Sequence, residues 1–147
     1  MQNIYNQLNF NVMTTWIFPY SKSKFRLDDL LSERNTIEWG QRKYKVETGD
    51  IVFLYSSAPD MRITHKMVIE KINLEGNECF NDKEFETKEF DKNYNNGSKF
   101  FRMKFIKKKV SYKLLRSELK EHGLKSCMQG PIKIDGELLD YIEKQFE

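Results

Sequence analysis

The sequence predicts an α+β chain: a small, curved, mostly antiparallel sheet or barrel with short helices packed around it. Strand-like runs outnumber helical ones, the helical stretches are short and scattered, and no regular strand–helix–strand alternation appears. At 147 residues the chain has the length of one domain with one respectable core. It divides into a lead-in over 1–11 and a single domain over 12–147.

Residues 12–18 (VMTTWIF) form a β-prone run that Pro19 is expected to stop, leaving Trp16 near a strand end. In 27–33, acids occupy the first turn and Leu27, Leu30 and Leu31 share a face, which predicts a short helix. The polar stretch around Trp39 reads as a loop. Gly49-Asp50 then opens the continuous apolar run Ile51-Val-Phe-Leu-Tyr55, the pattern of a strand buried on both faces. A loop over 56–60 leads to a strand over 63–72, which ends at the turn signal Glu75-Gly76-Asn77. Residues 77–98 read as a long acidic excursion. Residues 101–105 alternate as a half-buried strand with lysines outward. Ser111 is expected to cap a helix through His122, with Leu114, Leu115 and Leu119 inward and Gly123 after its end. A short strand over 131–134 and a helix capped by Asp135, with Leu138, Leu139, Ile142 and Phe146 inward, complete the chain.

Net charge is only +3, but it is unevenly placed. Residues 75–98 hold seven acids against three lysines, and residues 99–128 hold ten bases against two acids. The basic part suits a polyanion and equally reads as a solvated strand and helix face. Cys79 and Cys127 lie far apart without metal-ligand spacing, so reduced thiols are expected and no metal. No apolar run approaches a membrane span, and the polar start lacks the features of a signal peptide. A cytoplasmic protein without a membrane partner is the expectation.

Catalysis needs a nucleophile, a base and a stabiliser together. The two histidines, His65 and His122, read as structural, and no Walker-type loop, G-x-S-x-G, H-E-x-x-H or G-x-G-x-x-G is present. Neither an enzyme nor a cofactor is predicted. The tryptophans suggest binding instead. Trp16, Trp39 and Tyr55-Ser56-Ser57 would make an aromatic-walled cavity with a hydroxyl rim, if the sheet brings those ends together. Flat aromatic walls suit a nucleobase. Trp16 reads equally well as a large core residue, whereas Trp39 lies among Glu38, Gly40 and Gln41.

With those residues in place, the sequence resembles the EVE branch of the PUA-like superfamily, related to the YTH domains that read N6-methyladenine in RNA. Trp16-Ile-Phe followed by Phe25-x-Leu27-Asp28-Asp29-Leu30 resembles that family's opening strand and acidic helix. Trp39 preceded by an acid, then Val46-x-x-Gly49-Asp50-Ile-Val-Phe-Leu-Tyr55-Ser56-Ser57, resembles its central signature. Gly130-Pro131-Ile132-Lys133-Ile134 and the last helix resemble its close. The segment from Gly40 to Thr48 is short for an EVE domain, and in this the chain is closer to EVE-like modules attached to modification-dependent restriction systems. The resemblance implies a PUA-like curved barrel that reads a flipped, modified base in DNA or RNA and catalyses nothing itself, beside a nuclease or restriction partner.

The expected base cavity comprises Trp16, Trp39, Tyr55, Ser56 and Ser57, with Met128 as a third wall and Gln129 as an edge hydrogen bond. Arg42, Lys43, Lys99, Arg102, Lys104, Lys107, Lys108 and Lys109 are the candidate phosphate contacts. Two other readings stay open. One is a small hydrolase or nucleic-acid-modifying enzyme on the related ASCH-type scaffold, using Lys22, Lys24, Glu38 or Asp60. The other is a protein-interaction module with 77–98 as its contact surface.

Overall fold

The computed structural model describes residues 13–81, 83–85 and 99–147. The expected lead-in and most of the acidic excursion lie outside these. The elements are β1 (Thr15–Tyr20), α1 (Leu27–Glu33), β2 (Thr36–Gly40), β3 (Ile51–Ser56), β4 (Arg62–Leu74), β5 (Phe100–Lys108), α2 (Arg116–Glu121), β6 (Ile132–Ile134) and α3 (Gly136–Gln145). The six strands form one curled half-barrel sheet in the order β2-β5-β4-β3-β1-β6. Only β1 and β3 pair in parallel; every other neighbouring pair is antiparallel.

Strand β3 is buried on both faces, as its unbroken apolar run requires. Val52 and Leu54 enter the core on the α1 side, with Trp16, Phe18, Ile37, Met67, Phe101 and Met103. Phe53 and Tyr55 enter the opposite core with Ile17, Leu114, Leu119, Leu138 and Ile142, where α2 and α3 cover the sheet. Alternation along the strands therefore assigns Trp16 and Tyr55 to opposite faces.

Four local expectations are corrected. Pro19 does not stop β1; it lies within the strand, opposite Tyr55. Ile51 N–H donates to Thr14 O and Ser57 N–H to Tyr20 O, so the even-numbered residues of β1 bond to β3 and Pro19 faces the other edge. Pairing with β6 ends at Ile17, and the donor that proline lacks is needed by no neighbour.

Trp39 lies in strand β2, paired with Phe101, rather than in a loop. The stretch looks like a loop because Glu38 is polar, yet Glu38 is buried. Arg102 Nε donates to its carboxylate at 2.7 Å, the Phe80 N–H donates at 3.1 Å, and the Arg34 guanidinium lies 3.9 Å away.

The helix expected from Ser111 is split. A 3₁₀ turn spans Tyr112–Leu114, with Ser111 Oγ accepting from Lys113 N–H, and α2 starts only at Arg116. Between them Leu115 is extended and bridges Arg62, while Arg116 N–H donates to Met61 O at 2.8 Å. Pairing with the start of β4 outweighs continuing the helix. Asp135 stands at the N-cap of α3, but its side chain makes no capping bond.

Candidate functional site

A cavity of about 430 Å³ opens at the seam of the half-barrel, where the edge of β2 approaches the second half of β1. Its walls are Phe18 to Ser21, Glu38 to Gly40, and Gln129 to Pro131, the segment that leads into β6. Phe25, Tyr44 and Phe100 add aromatic surface, and Lys24 and Arg42 supply cations.

The seam follows from hydrogen-bond alternation. Phe105 N–H donates to Asn35 O, and Gln41 N–H to Lys99 O. Odd-numbered residues of β2 therefore bond to β5, and the backbone groups of Glu38 and Gly40 are directed outward at the sheet edge. Across the gap the Pro19 carbonyl faces the same way. A flat heterocycle entering here meets backbone donors and acceptors at its rim and aromatic rings on its faces. The size falls within the ordinary range of small-molecule sites.

Phe18 is the hub of the aromatic wall. Its ring centroid lies 6.3 Å from Trp39, 6.0 Å from Tyr44, 5.6 Å from Phe101 and 5.6 Å from Trp16. Gly130 brings the last segment beside Tyr44, where a Cβ would make an ordinary contact with the Tyr44 hydroxyl at 3.4 Å.

Of the expected cavity residues, Trp39 and Gln129 line it. Trp16 does not: it is 3% exposed, and its Nε1–H donates to Asp50 Oδ2 at 3.1 Å. The same carboxylate accepts Glu47 N–H at 2.9 Å and Thr14 N–H at 3.0 Å. The Gly-Asp turn thus pulls the indole into the core, where it backs Phe18 and Tyr44. Tyr55 is buried in the opposite core with its hydroxyl on Met61 Sδ at 3.7 Å. Ser56 is buried and donates to Asp60 Oδ2 at 2.9 Å. Ser57 Oγ donates to Tyr20 O at 2.9 Å. Met128, with φ +56°, turns into the α2–α3 core. Sequence reasoning missed Phe18, Phe25 and Tyr44; the i, i+2 step from Trp16 to Phe18 was the available signal.

Several expected phosphate contacts are already engaged. Lys108 donates to Asp28 Oδ2 at 2.8 Å, Lys107 to Glu147 O at 3.0 Å, Lys99 pairs with Glu75, and Arg102 holds Glu38. Lys43 stands over the Tyr44 ring, and Lys104 and Lys109 are exposed.

A second cavity, of about 450 Å³, lies beyond Tyr20 and Phe25, which line both. His65 is buried there; its Nδ1 lies 2.6 Å from Thr64 Oγ1 and its Nε2 2.9 Å from Asp28 Oδ1. Burial lowers the imidazole pKa from its ordinary 6.5, against the raising effect of Asp28. Asp28 is lowered from 3.8: bonds from Lys108 and His65 outweigh its own desolvation, the largest single contribution. Both shifts favour the folded state at neutral pH. For His65 the unfolded chain binds the extra proton as pH falls below about 6.5, and Asp28 adds its loss below about 3.8. Stability should therefore be level between about pH 7 and 9 and decline progressively in acid, while Tyr20 and Tyr55, both raised from 10.0 chiefly by burial, add a separate decline in strong alkali. Urea midpoints across pH check this, and His65→Gln should flatten the first part of the decline.

Among the described residues, no group of three or more His, Cys, Asp or Glu is placed to hold a metal, and no helix is long and apolar enough to cross a membrane.

No family model matches the chain, and no curated protein sequence does. Solved structures do match in shape. The ASCH protein from Zymomonas mobilis superposes with a TM-score of 0.62 at 12% identity, covering 91% of this chain and 96% of that one. Human THYN1, solved in complex with 5-methylcytosine-containing DNA, gives 0.61 at 16% identity, covering 89% and 96%. A hypothetical protein from Leishmania major gives 0.61 at 19%, covering 90% and 93%. With the curled six-stranded sheet and its flanking helices, these likenesses establish that the chain has the PUA-like α+β fold.

Proposed function

We propose that the chain is a nucleic-acid-binding module that holds one flipped, modified base in the seam cavity, acting as a single PUA-like domain of the EVE type over residues 12–147. The observation that carries this reading is the pairing of Trp39, Phe18 and Tyr44 as aromatic walls with outward-directed backbone groups of two strand edges. Stacking supplies on the order of 1–3 kcal/mol per base without choosing among bases. A buried methyl group adds roughly 0.8 kcal/mol, and the rim of backbone groups distinguishes the base edges. The likeness to THYN1 supports the choice of ligand, because that protein was solved with 5-methylcytosine-containing DNA. Lys24 and Arg42 at the cavity, with Lys43, Lys104 and Lys109 on the surface, provide the salt-sensitive contacts to phosphate. A reader of this kind would direct a nuclease or restriction partner to modified sites.

Titration of the protein with fluorescein-labelled oligonucleotides, each carrying one 5-methylcytosine, one N6-methyladenine or no modification, tests the reading. Saturable binding with preference for a modified strand is expected. Equal, weak binding to all three would overturn it. If Arg42 contacts a phosphate, Arg42→Ala should reduce the slope of log affinity against log salt by about one and weaken all three strands alike.

A further inference from the structure

We propose that the second cavity is a hydrolytic site for small esters, with Thr64 as nucleophile, His65 as general base and Asp28 orienting the imidazole. It stands apart from the base-binding reading and rests on different atoms. Leu54 pairs with His65 and Tyr55 with Ile63, so Thr64 is the extra residue of a β-bulge. Successive residues of a regular strand point to opposite faces, and the bulge removes that restriction. Thr64 and His65 thereby line one cavity together, with Oγ1 and Nδ1 2.6 Å apart.

Hydrogen bonds fix the direction of the chain. If His65 Nε2 carries its proton and donates to Asp28 Oδ1 at 2.9 Å, Nδ1 accepts from Thr64 Oγ1–H. The Thr64 oxygen then accepts from the Tyr20 hydroxyl at 3.2 Å. Lys108 donates to the far oxygen of Asp28 at 2.8 Å and holds that carboxylate in place. A hydroxyl bonded to a neutral imidazole, itself bonded to a carboxylate, is the arrangement that activates an oxygen nucleophile. Burial keeps the imidazole neutral at pH 7, with its Nδ1 lone pair available.

The step balances with water as the only co-reactant. Thr64 Oγ1 bonds to the ester carbonyl carbon, the carbonyl electron pair moves to oxygen, and the Oγ1 proton passes to His65 Nδ1. Lys22, Arg26, Arg62 and Lys108 line the same cavity with Asp28, Asp29 and Asp60. Lys22 is paired with Asp60, Arg26 with Asp29 and Lys108 with Asp28, and Arg62 is the lining cation assigned to the oxyanion. Collapse breaks the bond to the alcohol oxygen, which takes the proton from Nδ1. Water, deprotonated by the same nitrogen, cleaves the acyl–Thr64 ester, and the proton returns to Oγ1. The products are a carboxylic acid and an alcohol.

The probe is p-nitrophenyl acetate with the full chain. A burst of p-nitrophenolate is expected, with one acetyl group gained on the peptide containing Thr64. The rate should rise with pH along one ionisation below 6.5, the ordinary histidine value. The charged and titratable groups around His65 are Tyr20 of β1, Asp28 of α1 and Lys108 of β5. Thr64→Ser should keep both the burst and the adduct, and the isosteric Thr64→Val should lose both. Asp28→Asn, which keeps the side-chain shape at a position 58% exposed, should slow turnover by roughly 10²–10⁴-fold, with a circular dichroism melt confirming that the variant is folded at the assay temperature. Absence of the acetyl adduct on wild-type Thr64, or turnover by Thr64→Val equal to wild type, would overturn the assignment.

Discussion

Replacing Asp50 with alanine should destabilise the fold by about 3 kcal/mol or more. The carboxylate is 1% exposed and accepts from Thr14 N–H, Glu47 N–H and Trp16 Nε1–H. Its removal strands three buried or half-buried donors, and each costs about 1–3 kcal/mol when left without a partner. Asp50→Asn should fall between wild type and alanine, because an amide keeps one acceptor oxygen and presents an NH₂ to the remaining donors. Urea denaturation of the three proteins measures the order. Binding should weaken in Asp50→Ala even where the chain remains folded, since Trp16 backs Phe18 and Tyr44 in the cavity wall.

Trp39→Ala should have the opposite profile. Trp39 is only partly buried and packs on the edge of the α1-side core, so the fold should survive with a small loss. Affinity for an oligonucleotide carrying a modified base should fall by roughly 10–100-fold, the equivalent of one base-stacking contact. Fluorescence anisotropy at fixed salt measures it. Trp39→Phe should recover part of the loss, because a smaller ring still offers a flat face. Undiminished affinity in Trp39→Ala would remove the central wall of the proposed site.

The contrast between the two tryptophans shows which parts of this molecule can be read in one dimension. Helix α1 and strand β3 were legible because their signals are local: acids in a first turn, and an apolar run launched by Gly49-Asp50. Strand β2 was not, because the partner that neutralises Glu38 is Arg102 of β5, and nothing in the neighbourhood of Trp39 announces it. The cavity was legible only in part: of the seven expected residues, Trp39 and Gln129 line it. Trp16, Tyr55 and Met128 were misplaced because the face each occupies depends on strand register and on the turn at Met128, and Asp50's claim on the Trp16 indole is a tertiary fact. The basic residues show the same limit, since Asp28, Glu38 and Glu75 occupy charges that looked available for phosphate.

Pro19 also bears on which guests the protein refuses. Two exposed strand borders facing one slot would ordinarily welcome an extended peptide, which could knit itself in as an additional strand. An imino acid in the middle of one border withholds the amide hydrogen such knitting requires. At this position the border therefore disfavours the docking of an extended polypeptide, and the slot is better suited to compact planar molecules.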